Sequence, residues 1–150
     1  MQRVTNCILI DDDHVLLIKK PRRGWYALPG GKMEEGETIK ESVIRELKEE
    51  TMLDIRSPKL SGVFTFSIFS EEKLVQEWMM FTFITRAYRG TLNPNSDEGT
   101  LEWIPIRDIP KLPMAAGDIK IFEHILTAED ILYGAFSYTE DYDLLDFRFQ

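Results

Sequence analysis

The sequence predicts an α/β protein in which several β-hairpins are combined with two helices. Three observations support this class. Runs of β-branched and aromatic residues are separated by short polar turns, as in hairpins. An acidic amphipathic segment follows the first pair of strands, and a second one begins near residue 119. The 150 residues are enough for one domain with a proper core, so we expect a single domain over residues 1–150.

The chain opens with a predicted hairpin, whose strands cover residues 4–10 and 15–19. Cys7 lies in the first strand, where we expect it to be buried and not to act as a nucleophile. A single cysteine also excludes a disulfide framework within the chain and fits a reducing compartment.

The charge and hydropathy of the chain limit its partners. A net charge of −8 argues against a nonspecific nucleic-acid or membrane binder, which needs a basic face. No apolar run approaches the roughly 20 residues that cross a bilayer. Three aspartates follow the first apolar run, unlike a secretory signal. We therefore expect a cytoplasmic protein whose partner is a small molecule, with no nucleic acid and no membrane.

The next element is an acidic helix. Thr38 and Glu41 have the spacing of a capping box, which satisfies two backbone N–H groups at a helix start. No Pro or Gly interrupts residues 38–51, so a helix of about thirteen residues is predicted there. At about 100° per residue, Glu41, Arg45 and Lys48 point to solvent, opposite an apolar stripe.

Three glutamates of this helix, Glu46, Glu49 and Glu50, fall together at i, i+3 and i+4 beside the apolar stripe. No lysine shares their face, and Arg45 answers at most part of their charge. Half-buried carboxylates without cationic partners are costly. A hard divalent cation, which prefers oxygen ligands, would remove that cost. The alternative interpretation is an acidic helix face that is simply solvated.

The residues around these glutamates favour the metal site, because they follow the pattern G-x5-E-x7-R-E-U-x-E-E-x-G-U, in which U is a bulky aliphatic residue. The matching positions are Gly31, Glu37, Arg45, Glu46, Leu47, Glu49, Glu50 and Leu53. This stretch resembles the Nudix box, and the order of the other elements extends the resemblance to Nudix hydrolases over nearly the whole chain. Met52 replaces the family glycine; we expect a distorted or longer helix end there, without loss of the metal site.

The resemblance implies a fold and a cofactor. The fold would be an α/β/α sandwich with a mixed sheet, with the box helix on one face and a helix over residues 119–131 on the other. The cofactor would be Mg²⁺ or Mn²⁺. Its implied ligands are the carbonyl of Gly30 and the carboxylates of Glu46, Glu49, Glu50 and Glu98.

The resemblance also implies catalytic roles. Glu46, Glu49 and Glu98 are alternatives for the general base, while Arg45 and Glu37 would orient the groups around the box. Glu98 is chosen because several Nudix pyrophosphohydrolases carry an acid on a loop before a Trp-bearing strand. Asp97 and Glu102 are the alternatives at that place.

A cationic cluster precedes the box, at Lys19, Lys20, Arg22 and Arg23. It is either a solvated loop or a patch that binds phosphate oxygens, and its position just before Gly30 favours the second. The complete set of predicted substrate-binding residues is Thr5, Lys19, Arg22, Arg23, Gly31, Lys32 and Asp118.

The rest of the chain predicts a long hairpin over residues 59–88, then a loop over residues 89–100 and a strand that begins at Leu101. Phe66 and Trp78 of the long hairpin either lie on its substrate side or pack in the core, and we favour the core. A final apolar hairpin at residues 132–149 would pack on its own sheet or form a homodimer contact, and we favour the homodimer.

Asp118 begins the predicted helix near residue 119. It is either the N-cap of that helix or a contact to a nucleotide base. In Nudix enzymes that remove oxidised purine nucleotides, a matching segment ends in an acid that binds the base, and this acid corresponds to Asp118. The other base contacts of those enzymes correspond to Gly117, Ala115 and Ala27, so one contact of four is retained.

The resemblance implies hydrolysis of a phosphoanhydride bond in a guanine-type purine nucleoside di-, tri- or polyphosphate. MutT-like enzymes suggest 8-oxo-dGTP or GTP as substrate. Residues 5–13, 21–37 and 112–118 resemble Nudix hydrolases of guanosine alarmones, which suggests conversion of (p)ppGpp to pGpp. The alternatives are another nucleoside diphosphate-linked substrate and a nucleotide-sensing Nudix domain with weak activity. The complete set of charged box residues disfavours the sensor.

Overall fold

A computed structural model describes residues 1–150. The strands are β1 (Gln2–Asp11), β2 (His14–Lys19), β3 (Tyr26–Ala27), β4 (Gly30–Lys32), β5 (Asp54–Arg56), β6 (Lys59–Ser70), β7 (Lys73–Thr85), β8 (Ala87–Arg89), β9 (Asn95–Ser96), β10 (Gly99–Pro105), β11 (Leu132–Thr139) and β12 (Leu144–Phe149). The helices are α1 (Ile39–Thr51) and α2 (Ala116–Ile125), with a 3₁₀ helix at Ile106–Lys111.

The main sheet is mixed, in the order β12-β11-β6-β7-β1-β2-β10-β9, with β3 paired to β2 and β4 paired to β1. The β1–β7 and β6–β11 pairs are parallel, and the other pairs are antiparallel. Strands β5 and β8 form a separate two-stranded sheet. The predicted α/β class with a mixed sheet is therefore confirmed.

Alternate residues of β1 enter two different hydrophobic clusters, because helices cover both faces of the sheet. Cys7 packs in the cluster that contains residues of α1, and Ile8 packs in the cluster that contains residues of α2. The buried helix residues are Val43 and Leu47 on α1, and Ile121 and Ile125 on α2. A strand covered on both faces reads as a continuous apolar run, which explains residues 7–10.

Cys7 is fully buried, as predicted. Burial raises the pKa of its thiol to about 12, so the reactive thiolate does not form near neutral pH. The residue therefore serves the packing of β1 against α1.

Helix α1 begins as predicted. The Thr38 side chain accepts a hydrogen bond from the Glu41 N–H at 3.1 Å, and the Thr38 N–H donates to the Glu41 carboxylate at 2.8 Å. Both bonds of the capping box are thus present.

The end of α1 differs from the prediction of a distorted or longer helix, which was wrong. Met52 adopts the left-handed conformation that the family glycine would supply, with φ 69° and ψ 9°. Its N–H donates to the Lys48 carbonyl at 2.9 Å, so the helix closes normally after Thr51. Because the Met52 side chain is exposed, it can keep this backbone conformation without a packing clash.

Two other boundaries also need correction. Helix α2 begins at Ala116 and ends at Ile125, so residues 126–131 are not part of it. The loop over residues 89–100 contains the short strand β9 and the first residues of β10.

No helix of the structure combines the length and the apolar character needed to cross a membrane.

The final hairpin has the predicted strands and adds to the main sheet, since β11 pairs in parallel with β6 and β12 forms the edge. Tyr133, Leu145 and Phe147 of this hairpin remain exposed. The homodimer contact through the hairpin stays a prediction.

The Met52 conformation generates a stability test. Replacing Met52 with glycine should raise the free energy of unfolding by about 1 kcal/mol, because glycine reaches the left-handed region without the steric cost of a Cβ atom. Denaturant unfolding measures the change. As a control, Lys40→Gly at an exposed position inside α1 should lower the free energy of unfolding by a similar amount. A loss of stability in Met52→Gly would show that the side chain matters more than the backbone.

Candidate active site

The box glycines allow α1 to lie close to the sheet. Strand β4 pairs with β1, with Gly31 opposite Thr5 and Gly30 opposite Asn6. A Cβ atom on Gly31 would collide with the Glu46 carboxylate, and one on Gly30 would collide with the Thr5 carbonyl. Glycine is therefore required at position 31 if Glu46 is to face β4, and at position 30 if β4 is to pair this closely with β1.

Arg45 of α1 is the centre of an ion-pair network that includes two glutamates of the same helix. Its guanidinium donates to both carboxylate oxygens of Glu37, at 2.6 and 2.9 Å. It also donates to Glu46 at 2.9 Å, to Glu49 at 3.1 Å and to the Lys32 carbonyl at 3.1 Å. The hydrogen bonds from Arg45 lower the pKa of Glu37 to about 2. The expectation that Arg45 points to solvent was wrong, because its side chain is only 23% exposed.

Carboxylates of α1 and of the β9–β10 turn face a cavity of about 230 Å³. Its lining residues are Glu46, Glu49, Glu50, Met52, Asn93, Asn95, Ser96, Asp97 and Glu98. The structure thus brings together all four predicted carboxylate ligands. We call this cavity the carboxylate cleft.

Glu50 is the most strongly perturbed residue of the carboxylate cleft. It is buried, and its Oε1 atom has no hydrogen-bond partner. Burial raises the pKa of Glu50 to about 7, with Glu98 and Glu46 adding to the effect and Lys20 opposing it. Burial also raises the pKa of Glu46, although Arg45 opposes that shift. An unpartnered buried carboxylate oxygen is costly unless a cation binds it.

Three of the four carboxylates have cationic side-chain partners in the structure. Arg45 binds Glu46 and Glu49, and the Lys20 ammonium lies 3.2 Å from Glu98. The expectation that Arg45 answers only part of the charge of the α1 glutamates is therefore confirmed. In this arrangement, no three acidic, histidine or cysteine side chains converge closely enough to enclose a metal ion.

The donor set nevertheless fits a hard divalent cation. Carboxylate oxygens are the ligands that Mg²⁺ and related ions prefer, and four carboxylates border one cavity. The unpartnered oxygen of Glu50 is the specific observation in favour of the cation, because Arg45 and Lys20 leave that oxygen without a hydrogen bond.

A second, larger cavity of about 670 Å³ lies beside the carboxylate cleft. Its lining residues are Lys20, Arg22, Arg23, Trp25, Tyr26, Ala27, Phe66, Trp78, Met80, Ala115, Asp118, Tyr138, Glu140 and Tyr142. Lys20 borders this cavity and binds Glu98 of the carboxylate cleft, so it connects the two. We call the larger cavity the aromatic pocket.

Phe66 and Trp78 form one wall of the aromatic pocket. Their rings stack with centroids 5.3 Å apart and planes 9° apart. Phe66 is buried in the core, as predicted, but it also borders the pocket, and Trp78 is only half-buried. The interpretation of both as purely core residues therefore needs correction. Phe136 stacks on the other face of Phe66, with centroids 5.1 Å apart and planes 14° apart, so half-buried Trp78 is the ring of this pair that can present aromatic surface to a flat ligand.

The predicted cationic residues have different positions. Arg22 and Arg23 border the aromatic pocket, and the Arg23 guanidinium lies over the Trp25 ring at 4.9 Å and the Tyr142 ring at 5.1 Å. Lys19 lies outside the lining, with its ammonium 5.8 Å from the Tyr26 ring.

Three other predicted substrate-binding residues, Thr5, Gly31 and Lys32, do not border the aromatic pocket. Thr5 is buried, and its hydroxyl lies 2.8 Å from the Ser42 hydroxyl, which ties β1 to α1. Gly31 makes room for Glu46, and the carbonyl of Lys32 accepts a hydrogen bond from Arg45.

Asp118 is not the N-cap of α2, and that alternative was wrong. Ala115 is the N-cap and supplies no side-chain hydrogen bond, while Asp118 lies in the first turn. The Asp118 carboxylate borders the aromatic pocket, where burial raises its pKa to about 6.

The aromatic pocket also includes Tyr138, Glu140 and Tyr142, which were not predicted as site residues. The high aromatic content of residues 132–149 was the sequence feature that could have indicated them.

The fold and the carboxylate cleft define this protein as a Nudix-type hydrolase. The family model for the NUDIX domain matches residues 1–125, and the chain belongs to this family.

Individual relatives agree with this assignment. The chain is 51% identical over 148 residues to the Nudix hydrolase YvcI of Bacillus subtilis, with 99% of this chain and 94% of that protein covered. It resembles the crystal structure of a MutT protein from Bacillus halodurans with a TM-score of 0.97 and 51% identity, over 100% of this chain and 98% of the other. It is also 36% identical over 108 residues to an ADP-ribose pyrophosphatase of Methanocaldococcus jannaschii, covering 70% of this chain and 62% of that protein.

The unpartnered Glu50 oxygen generates a metal-binding test. Mn²⁺ or Mg²⁺ at about 100 times its Kd should raise the melting temperature by roughly 5–10 °C, because a ligand that binds only the folded state stabilises it by mass action. Differential scanning calorimetry with and without a chelator measures the shift. The Glu41→Gln variant, altered on the exposed side of α1, should show the same shift. An unchanged melting temperature at millimolar metal would exclude the cation site.

A second test concerns the catalytic importance of Glu50. Glu50→Gln keeps the side-chain shape and removes the charge, so turnover should fall by at least about 10²-fold, as expected for loss of a metal ligand or a base. Steady-state kinetics measure turnover, and circular dichroism checks the fold. Glu41→Gln again serves as the matched control and should retain nearly full activity. Near-normal turnover in Glu50→Gln would remove this residue from the reaction.

Proposed function

We propose that this Nudix hydrolase cleaves a phosphoanhydride bond in a guanine-type purine nucleoside di-, tri- or polyphosphate, with Mg²⁺ or Mn²⁺ as cofactor. The observation that carries the proposal is the arrangement of the two cavities. The aromatic pocket has a carboxylate for a base, and the carboxylate cleft suits a metal-bound polyphosphate. Lys20 connects the two, because it borders the pocket and binds Glu98 of the cleft. Such a pair of cavities accommodates one nucleotide, with its base in the first and its phosphates in the second.

The proposed cation ligands are Glu46, Glu49, Glu50, Glu98 and the Gly30 carbonyl. A bound divalent cation would offset phosphate charge and lower the pKa of the attacking water. Within the chain, Glu37 fixes the Arg45 guanidinium through two hydrogen bonds, and Arg45 in turn orients Glu46 and Glu49. Glu46, Glu49 and Glu98 all border the cleft, and each is a candidate for the base that accepts the proton of the attacking water.

Cationic side chains allow this acidic protein to attract a polyphosphate. With a net charge of −8, the protein repels anions at long range, so the site must supply its own positive charge. Lys20, Arg22 and Arg23 border the aromatic pocket, and Lys20 also binds Glu98 of the carboxylate cleft. Ammonium and guanidinium groups both bind phosphate oxygens, and we assign the phosphate contacts to these three residues.

Membership of the family leaves the substrate open. Relatives of this chain are named for ADP-ribose, for 8-oxo-dGDP and for NAD-capped RNA. The chemistry of the aromatic pocket favours guanine among the purines, since the Asp118 carboxylate accepts hydrogen bonds from a ring N–H and an exocyclic NH₂ group on one edge. Guanine presents that pair of donors and adenine does not.

Within guanine nucleotides, 8-oxo-dGTP, GTP and the alarmone (p)ppGpp are the proposed substrates, the last giving pGpp. The alarmone is favoured by the positions of Arg22 and Arg23. These two residues border the aromatic pocket and are absent from the lining of the carboxylate cleft. They can therefore serve a second phosphate group that is separate from the chain being cleaved.

A nucleotide panel tests the proposal. The purified protein is incubated with GTP, 8-oxo-dGTP, ppGpp, ATP and ADP-ribose in the presence of Mg²⁺ or Mn²⁺, and products are resolved by ion-exchange chromatography. Hydrolysis of guanine nucleotides with kcat/KM above that for ATP supports it. Preference for ADP-ribose would favour the other nucleoside diphosphate-linked substrates, and binding without turnover would favour a sensor.

Asp118 gives the sharpest prediction on base specificity. Asp118→Asn should lower kcat/KM for guanine nucleotides by at least about tenfold, because loss of a buried hydrogen-bonding contact costs about 1–3 kcal/mol. It should also narrow the difference between guanine and adenine nucleotides. The melting temperature should hardly change, since the carboxylate makes no hydrogen bond within the protein.

The matched control for Asp118→Asn is Glu123→Gln on the same helix, at an exposed position outside the aromatic pocket. This control should change neither selectivity nor stability. An unaltered guanine-to-adenine ratio in Asp118→Asn would assign base recognition to other residues of the pocket.

A further inference from the structure

The final hairpin, β11 and β12, lies beyond residues 1–125, which match the family model, yet it supplies part of the aromatic pocket. Parallel pairing of β11 with β6 aligns Phe136 with Phe66 and Tyr138 with Ile68. This register places the Tyr138 ring 6.2 Å from the Phe66 ring, at the border of the pocket. An element outside the matched region therefore contributes directly to the proposed substrate site.

Tyr138 makes a specific contact with the start of α2. Its hydroxyl oxygen accepts a hydrogen bond from the Gly117 N–H at 2.7 Å. The first N–H groups of a helix have no partner within the helix, and an N-cap side chain normally satisfies one of them. Ala115 occupies the N-cap and has no polar side chain. The Tyr138 hydroxyl, 21 residues further along the chain, therefore takes over the capping role.

The approach of Tyr138 depends on Gly117. A Cβ atom at position 117 would collide with the Tyr138 hydroxyl and would lie 3.0 Å from Phe136. Gly117 and Tyr138 are both buried, so water is poorly placed to replace either partner. The hydrogen bond fixes the first turn of α2 against the hairpin.

The next residue of that turn is Asp118. Its carboxylate has no hydrogen bond to any protein group, although it borders the aromatic pocket. No side-chain hydrogen bond therefore sets its direction. Its position follows from the backbone of residues 115–118, where the Asp118 N–H donates to the Ala115 carbonyl at 3.0 Å and the Gly117 N–H donates to Tyr138.

We propose that Tyr138 is a positioning residue for base recognition: its hydroxyl holds the first turn of α2 so that the Asp118 carboxylate faces the aromatic pocket. This inference rests on the proposed function, because it presumes that Asp118 contacts the purine. It assigns to the final hairpin a part in substrate selection, in addition to its place in the sheet.

The test uses Tyr138→Phe, which removes the hydroxyl and keeps the ring that packs near Phe66. The guanine-to-adenine ratio of kcat/KM should fall about tenfold, the scale of a lost buried hydrogen bond. The change should be in KM for guanine nucleotides, with kcat largely retained, since the carboxylate cleft is untouched. A purely structural role would lower the melting temperature and leave this ratio unchanged. Assays are run well below the melting temperature of each variant.

Tyr133→Phe is the matched control. Tyr133 lies on the same strand, is 51% exposed and does not border the aromatic pocket. Its hydroxyl removal should alter neither the selectivity nor the melting temperature.

A double-mutant cycle with Asp118→Asn separates the possible outcomes. If Tyr138 acts through Asp118, the double variant should lose no more selectivity than Asp118→Asn alone. If the two losses add, Tyr138 acts independently and the positioning role is overturned. If Asp118→Asn loses selectivity and Tyr138→Phe does not, the inference fails and the proposed function survives. If neither variant changes the ratio, the role of Asp118 in base recognition fails, and the inference fails with it.

Discussion

The concentration of carboxylates at one end of α1 is the constraint on which the site depends. Glu46, Glu49 and Glu50 share one side of the helix, and Glu98 approaches from the β9–β10 turn. Arg45 and Lys20 relieve the repulsion for three of these groups and leave an oxygen of buried Glu50 without a partner. The surrounding structure serves this arrangement, because Gly31 makes room for Glu46 and Glu37 fixes Arg45. A divalent cation is the species that the remaining charge and the free oxygen accommodate best.

The second feature of the molecule is the connection between the carboxylate cleft and the aromatic pocket. Lys20 borders the pocket and binds Glu98 of the cleft, so one side chain links the two cavities. The other pocket residues come from distant parts of the chain. The loop after β2 supplies Arg23, the long hairpin supplies Trp78, α2 supplies Asp118 and the final hairpin supplies Tyr142. The lining of the aromatic pocket therefore depends on tertiary packing more than on the box itself.

Features that depend on local sequence were predictable, whereas features that depend on tertiary contacts were not. The box, the capping pair Thr38 and Glu41, and the hairpins are local patterns, and the structure reproduces them. The end of α1 was mispredicted because sequence propensity alone does not show that Met52 tolerates a left-handed backbone. Arg45 was placed in solvent because a helical wheel ignores Glu37, which approaches from the preceding loop. The capping of α2 by Tyr138 was not predictable, since it depends on the parallel pairing of β11 with β6.

The central claim is that the two cavities hold a guanine nucleotide while water cleaves its phosphoanhydride bond. The most direct measurement is the hydrolysis of GTP or ppGpp in ¹⁸O-labelled water with Mn²⁺, followed by mass spectrometry of the products. The structure predicts one ¹⁸O atom in the phosphate products for each bond cleaved, and no turnover after chelation of the metal. Recovery of intact, unlabelled nucleotide in the presence of metal, with the protein folded, would contradict the assignment.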